Sequence, residues 1–257
     1  LPHEETFGGP KADRFALTKE TRCNVSSIFS LYCDPENKVV QSLEPHTQNK
    51  PDATANLSDV LHEMWVVTDK QTIQSVTDTL SQKKFYIADG HHRYTTALNY
   101  RSYLADMHGA TLPDDHPANH VMMVLASMDD PGCVIQGYNR VLSGSGVDLA
   151  ALTQAWSKDE IASGRAPAWR QLDVAYLHHY LIDHLATDLK PTVGYAKSVE
   201  LACKKAEQVG GVAVLPKATP MGQLRAVSEA GELMPQKSTF FFPKLATGLT
   251  IHQLYEE

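Results

Sequence analysis

The most constraining feature of the sequence is a short apolar run that passes through an Asp-Gly pair into a long helical pattern. Phe85-Tyr86-Ile87-Ala88 predicts a short buried strand, and Asp89-Gly90 is typical of a turn. From about His91 to His108 the apolar residues approximate helical spacing, and Gly109 predicts a C-terminal cap. The chain is therefore expected to contain a strand that ends at the N-terminus of a helix.

Other segments predict a mixture of strands and helices around this one. The predicted strands are residues 27–32, 63–67, 85–88, 120–128, 212–215, 240–242 and 249–251. Helices are predicted at 70–80, 91–108 and 219–230 and within 147–190, whereas 3–14 and 33–58 are predicted to be irregular. This mixture indicates the α+β class, with a mixed sheet flanked by helices. We expect one α+β catalytic region over residues 1–257, with two lobes at about 1–145 and 146–257 as the alternative organisation.

Composition excludes several classes of function. The chain has 30 Asp and Glu against 23 Lys and Arg, a net charge of −7, and its basic residues are dispersed, which argues against broad nucleic-acid binding. No apolar run approaches the ~20 residues that cross a bilayer, so no membrane partner is expected. The four cysteines lack C-x-x-C spacing, which favours free thiols and a cytoplasmic location. We expect a small-molecule substrate as the partner, and the oligomeric state stays open.

The turn after the buried strand combines groups that suit a phosphate. Gly90 lacks a Cβ, so the backbone can approach a ligand, and the unpaired N–H groups of a helix start favour an anion. Arg93 adds a bidentate donor, and His91 and His92 add donors that change charge near neutral pH. Asp89 could bind Mg²⁺ or accept a proton from an attacking hydroxyl. The local alternative is a capping aspartate beside two structural histidines.

Two further clusters supply candidate ligands. Lys237, Ser238 and Thr239 place a cation beside two hydroxyls, which suits phosphate oxygens, although the Gly-rich run of a P-loop is missing. Glu4, in the polar N-terminal stretch, is a candidate catalytic base. The local alternatives are an ordinary polar turn for the first cluster and a solvated terminus for the second.

The order of these motifs resembles the prokaryotic family known as domain of unknown function 1015. The residues that carry the resemblance are His3-Glu4-x-Thr6 with Asp13-Arg14, Ala88 to Tyr94, Asn139-Arg140-Val141, Met234 to Thr239, Phe242-Pro243-Lys244 and Gly248-Leu249. Members of the family carry a further N-terminal portion, so the resemblance implies a C-terminal fragment of a longer protein. Glu5 stands where the resemblance leads us to expect a lysine.

The Asp-Gly-His-His-Arg core also resembles a loop of the ParB/sulfiredoxin-like superfamily, which includes free-serine kinases. The resemblance implies a ParB/sulfiredoxin-like core with additional elements, whose loop and helix start bind nucleotide phosphates. It implies a phosphotransferase acting on a small hydroxylated metabolite, with free serine as the leading acceptor, ATP, ADP or pyrophosphate as co-substrate, and Mg²⁺. Two alternatives stay open: a metal-dependent phosphohydrolase with Asp89, His91 or His92 as ligands, and a ParB-like regulatory module that binds nucleotide without turnover.

Three expectations can be compared with a structure or tested on the purified protein. The N–H groups of the strand-to-helix turn should face an open pocket. If one phosphorylated ligand contacts both clusters, the side chains of Lys237, Ser238 and Thr239 should lie within roughly 10 Å of Asp89, because phosphate contacts are ~3 Å long. A kinase-like site should hold no stoichiometric transition metal, since Mg²⁺ binds through oxygen ligands and exchanges readily.

Overall fold

The structure, a computed structural model, describes residues 1–4, 8–57, 60–144, 164–183, 191–242 and 244–255. These residues form two units, which are described separately. Unit one comprises Leu1–Thr6 and Val134–Phe242, and unit two comprises Phe7–Cys133 and Pro243–Glu257. The chain therefore crosses from one unit to the other at residues 6–7, 133–134 and 242–243. The alternative boundary near residue 145 stays a prediction.

The elements of the described residues are as follows. The strands are β1 Cys23–Asn24, β2 Ile28–Tyr32, β3 Ala53–Leu57, β4 Val60–Met64, β5 Tyr86–Asp89, β6 Met123–Ser127, β7 Val134–Gln136, β8 Asn139–Ser143, β9 Thr192–Ala196, β10 Val212–Val214, β11 Phe240–Phe242 and β12 His252–Gln253. The α-helices are α1 Gly8–Thr21, α2 Lys38–Thr47, α3 Lys70–Ser81, α4 His91–His108, α5 Pro167–Arg170, α6 Asp173–Tyr176, α7 Val199–Val209 and α8 Met221–Glu229. A 3₁₀ turn covers Pro117–Asn119, and a π-helical turn covers Leu177–Ile182.

A three-stranded mixed sheet in unit two carries the strand that leads into the turn. Its order is β5-β2-β6, with β2 antiparallel to β5 and parallel to β6. All five residues of the central strand β2 are buried. The register between β2 and β5 shifts where Phe29 faces Asp89 and Ser30 faces Ile87, which leaves Ala88 as an extra residue. Such a bulge re-aims the next side chain, here that of Asp89.

The helices of unit two pack in pairs, and α4 also contacts the central strand β2. Helix α1 packs against α4, and α2 packs against α3. Tyr100 of α4 is buried in an apolar cluster with Ala118 and Leu254, and the Phe15 ring of α1 meets the Tyr103 ring edge-on at 5.7 Å. Strands β3 and β4 form an antiparallel pair, and β1 pairs with β12. The α1–α4 contact fixes the helix that begins at the turn.

Unit one is built on a small antiparallel sheet of order β10-β8-β9. Helix α7 packs across this sheet, and its Ala202 and Ala206 contact Val141 and Ala196 of the strands. Alanine at these helix positions allows a close approach between helix and sheet. Strand β11 pairs antiparallel with β7, and α8 packs against α5.

Two of the sequence predictions for irregular chain are wrong. Residues Gly8–Thr21 form α1 rather than loop. Pro10 does not prevent this helix, because a proline is tolerated in the first turn, where the helix N–H groups have no partner. The polar stretch 33–58 contains α2 and β3. Strand β3 is mostly exposed and owes its structure to backbone pairing with β4, which composition does not reveal.

Most of the other predicted helices and strands are present, although several begin or end at other residues than predicted. Helix α4 begins and ends where predicted, and Gly109 caps it in the left-handed conformation at φ 65°. The strand predicted at 249–251 lies instead at β12, and β7, β8, β9 and α7 were not predicted. Of the helical stretch predicted at 147–190, residues 147–163 and 184–190 lie outside the described residues. The α+β class with a mixed sheet and flanking helices is confirmed. None of the described helices is long and apolar enough to cross a membrane.

Candidate functional site

The turn between β5 and α4 has the geometry that its sequence predicts. Asp89 ends the strand, Gly90 adopts the left-handed conformation at φ 98°, and the Tyr94 N–H donates to the Gly90 carbonyl at 2.9 Å. A Cβ at Gly90 would lie 2.8 Å from Nη2 of Arg93, so glycine is required both by the backbone and by the arginine. Gly90, the N-cap residue, has no side chain with which to cap the helix start. The predicted strand-to-helix turn is confirmed, whereas the direction of its N–H groups stays a prediction.

An ion pair lies beside this turn. Lys244 Nζ lies 3.1 Å from Asp89 Oδ2, and both side chains are partly exposed. Burial raises the pKa of Asp89, but the charges of Lys244 and Arg93 and the Gly90 N–H together hold it below its usual value. Asp89 is therefore ionised at neutral pH and is a weak proton acceptor. This favours a role in which its negative charge is used directly.

The guanidinium of Arg93 folds back over the turn. Its Nη1 donates to Ser26 Oγ at 3.0 Å, and its Nε lies near Gly90. The Nε–H is buried, and no acceptor for it is found in the described part of the chain. Burial lowers the pKa of Arg93, which Asp89 partly offsets, while the nearby Arg14 lowers it further. A buried donor without an acceptor beside a helix N-terminus is a suitable contact for an anion.

The two histidines of the turn differ from what the sequence suggests. His91 is buried, and burial, with smaller contributions from His92 and Arg93 and an opposing one from Asp89, lowers its pKa to about 4. The expectation that His91 changes charge near neutral pH is therefore wrong, because burial disfavours the charged imidazole. His92 is half-buried. Catalytic or phosphate-binding roles for the two histidines stay predictions.

The N-terminal motif and the 234–239 motif meet in unit one. Glu4 forms an isolated parallel bridge with Met234, whose N–H donates to the His3 carbonyl at 2.7 Å. The buried His3 side chain places Nε2 3.2 Å from Thr239 Oγ1. Two motifs from opposite ends of the sequence are thus neighbours, although the catalytic role of Glu4 stays a prediction.

The three predicted phosphate ligands of unit one are not equivalent. Ser238 is buried and donates its hydroxyl to the Pro235 carbonyl, and Thr239 is buried beside His3. Lys237 is exposed and left-handed at φ 60°, with its ammonium 5.6 Å from the centre of the Tyr138 ring. Of these three side chains, only that of Lys237 is exposed, whereas Ser238 and Thr239 are buried and hydrogen-bonded. Phosphate binding by the three residues stays a prediction.

A buried arginine supports this segment. Arg140, on β8, is 0% exposed, and it donates from Nη2 to the Lys237 carbonyl at 3.0 Å and from Nη1 to the Tyr138 carbonyl. Its Nε and Nη2 also lie 3.2 and 3.0 Å from His178 Nε2. Arginine only donates, so His178 accepts through Nε2 and carries its proton on Nδ1. Burial, then Arg140 and His179, lower the pKa of His178 to about 4.

Three residues that the structure places in these clusters, Lys244, Arg140 and His178, were not predicted as site residues. Lys244 and Arg140 each stand in a motif named above, and that membership is the signal that could have identified them. No local signal distinguishes His178 from the adjacent His179 in the sequence. Its contact with Arg140 arises only from the tertiary structure.

The predicted site residues divide between the two units. Asp89, Gly90, His91, His92 and Arg93 lie in unit two, and Glu4 and the 237–239 segment lie in unit one. Their convergence on one ligand stays a prediction. Within the ranges that the structure describes, no group of three His, Cys, Asp or Glu residues could hold a metal ion. Asp89 as a Mg²⁺ ligand stays a prediction.

Comparison with solved structures shows a shared fold. A mutant of free serine kinase in complex with AMP matches with a TM-score of 0.50 at 12% identity, over 99% of this chain and 88% of that chain. SbnI from Staphylococcus aureus, with a C-terminal truncation, gives a TM-score of 0.48 at 12% identity, over 98% and 83% of the two chains. A conserved hypothetical protein from Pyrococcus furiosus gives 0.44 at 14% identity, over 96% and 88%. The kinase match agrees with the predicted ParB/sulfiredoxin-like core.

Sequence comparison identifies the family. A search of curated proteins gives no match. One family model, described as a protein of unknown function, matches residues 1–210, which include the N-terminal motif, the Asp89–Arg93 turn and Arg140. The resemblance seen in the order of the motifs is thereby confirmed, and the chain belongs to the DUF1015 family.

Proposed function

We propose that this protein is a phosphotransferase that moves the terminal phosphoryl group of a nucleotide or pyrophosphate to the hydroxyl of a small metabolite. The observation that carries the proposal is the turn at Gly90, where a helix start, Arg93 and Lys244 lie around the carboxylate of Asp89. The similar structure named above is of a free serine kinase in complex with AMP. Free serine is therefore the leading acceptor, and ATP, ADP and pyrophosphate are the candidate donors.

The reaction balances as a displacement at phosphorus. The acceptor hydroxyl oxygen bonds to the terminal phosphorus, the bond from that phosphorus to its bridging oxygen breaks, and the hydroxyl proton leaves to a base. ATP would yield ADP, ADP would yield AMP, and pyrophosphate would yield phosphate. Such a transfer needs positioning and charge neutralisation more than covalent participation by the protein. A turn that presents backbone donors and two cations suits those needs.

The residues of the turn fit an anion. The buried Arg93 Nε–H has no acceptor among the described residues, and the absence of a Cβ at Gly90 lets the Arg93 guanidinium pack directly against the turn. The helix N-terminus adds partial positive charge, and Lys244 adds a full one at the same turn. His91 is neutral at pH 7 and contributes a polar group rather than charge.

The lowered pKa of Asp89 indicates how it would act. Its carboxylate is ionised at neutral pH, so it is better suited to holding a cation than to removing a proton. Mg²⁺, when bound there, would neutralise phosphate charge, and it typically uses one or two carboxylates together with the phosphates themselves. We assign the proton to a different group, for which Glu4 is the candidate.

The test is a binding screen followed by product analysis. Thermal shifts are measured with ATP, ADP and pyrophosphate, each with and without Mg²⁺, since a ligand at 100 times its dissociation constant adds ~2.7 kcal/mol of stability. The donor that binds is then incubated with free serine, and phosphoserine is sought by ³¹P NMR. No stabilisation by any of the three donors would contradict the proposal.

Asp89→Asn tests the site itself. We expect it to slow turnover by about 100-fold or more, as loss of a directly acting charged group does, with a smaller effect on donor binding. Asp69→Asn is the matched control, because Asp69 also precedes a helix and accepts from the Thr72 N–H at 2.7 Å, but caps α3. Full turnover in Asp89→Asn would remove Asp89 from the site.

A further inference from the structure

A second feature of unit two lies next to the turn. A half-open cavity of about 330 Å³ is bordered by α1, the β1–β2 segment and the first turns of α4. That volume is at the lower end of the range for small-molecule sites, so it suits a metabolite better than a nucleotide. Arg14 and Arg93 both line it, and Arg14 belongs to the Asp13-Arg14 motif that the turn does not explain.

The charged wall of the cavity favours a monoanion. Two guanidiniums and the carboxylate of Asp13 line it, which leaves one net positive charge. Its remaining polar lining is uncharged and includes the hydroxyls of Ser26 and Thr247. Arg14 is near enough to lower the pKa of Arg93, and an anion between two such groups would offset their repulsion. A carboxylate carries one charge and accepts two parallel N–H bonds from a guanidinium, whereas phosphate carries closer to two charges.

Arg93 connects the cavity to the turn. Its Nη1 contacts Ser26, which lines the cavity, while Nε and Nη2 lie over Gly90 at the helix start. A molecule in the cavity and a phosphate at the turn would therefore contact the same guanidinium. That arrangement brings the two binding sites, for the acceptor and for the phosphate, next to each other within unit two.

We propose that this cavity binds the phosphoryl acceptor by its carboxylate, through Arg14 and Arg93, so that the acceptor is a small hydroxycarboxylic acid with or without an amino group. The assignment rests on the proposed phosphotransferase function. The carboxylate is held and takes no part in bond making. The hydroxyl of the same molecule forms the bond to phosphorus and loses its proton, as in the displacement described above.

The experiment measures binding of sodium glycerate, sodium lactate, serine and threonine by isothermal titration, with glycerol and inorganic phosphate as comparison probes. Arg14→Gln removes one guanidinium outside the turn, and Arg101→Gln is the control, an exposed arginine on α4 away from the cavity. At least one acid should bind while glycerol does not. Its affinity should fall about 10- to 100-fold in Arg14→Gln, as for loss of a charged hydrogen bond, and stay unchanged in Arg101→Gln.

Pyrophosphate binding, measured in parallel, separates this inference from the proposed function. If pyrophosphate or a nucleotide binds but no acid does, or if an acid binds equally well to Arg14→Gln, the carboxylate site is wrong and the phosphotransferase proposal stands. Binding of inorganic phosphate that depends on Arg14, without binding of any acid, also overturns the carboxylate assignment. If an acid binds through Arg14 but no phosphate donor binds, the cavity assignment holds and the proposed function fails.

Discussion

Protonation of His178 should destabilise the protein as the pH falls. Its pKa is about 4 in the folded protein, below the ordinary value of 6.5, because burial and the Arg140 and His179 charges disfavour the imidazolium. Between these values the unfolded chain binds more protons, so this contribution is fully present above pH 6.5 and is lost as the pH falls towards 4. For this residue alone, the free energy of unfolding should drop by about 2 kcal/mol from pH 7 to pH 5.

Urea unfolding at both pH values, followed by tryptophan fluorescence, measures the effect in wild type and His178→Gln. Glutamine keeps an acceptor for Arg140 but does not titrate, so the variant should lose about 2 kcal/mol less than wild type over this range. The buried His91 titrates in both proteins and cancels in the comparison. His120→Gln is the control, since that side chain is exposed and lies in unit two, apart from the His178 cluster. Identical pH dependence in wild type and His178→Gln would refute the assigned pKa and its cause.

Four further outcomes are expected. Gly90→Ala should cost about 1–3 kcal/mol in urea unfolding and weaken pyrophosphate binding, whereas Gly109→Ala, at φ 65° with open space around it, should cost stability alone. Lys244→Met should change stability by less than about 1 kcal/mol, because its ion pair with Asp89 is exposed, yet weaken pyrophosphate binding in titrations. Lys237→Ala should also weaken pyrophosphate binding if residues 237–239 contact the same ligand. Unchanged affinity for pyrophosphate would remove Lys237 from the site. Elemental analysis of purified protein should find no stoichiometric zinc, iron or manganese.

Local patterns in the sequence were sufficient where the structure is local. The β5–α4 segment was predicted almost to the residue, because an apolar run, a glycine turn and a glycine cap are all encoded within it. Local patterns did not predict helices α1 and α2. Their glycine, proline and polar residues resemble loop composition, and packing against α4 and α3 determines their state.

The candidate site was predictable only in part for the same reason. Asp89 to Arg93 form one local motif, whereas the partner of Asp89 is Lys244, at the far end of the sequence. Arg140 contacts the Lys237 carbonyl and His178, neither of which is near it in sequence. Spacing rules describe neighbours on one helix or strand, so they carry no information about such pairs.

The order in which the two units alternate along the chain has a consequence for folding kinetics. Unit one is closed by the bridge of Glu4 to Met234, and unit two by the pairing of β1 with β12. Each closure joins residues from near the two ends of the sequence, and closing loops of that length is slow. During synthesis, β1 and β12 cannot pair until all of residues 134–242 have been made. Folding should therefore finish late and in a concerted step, rather than advance from the N-terminus as each segment appears.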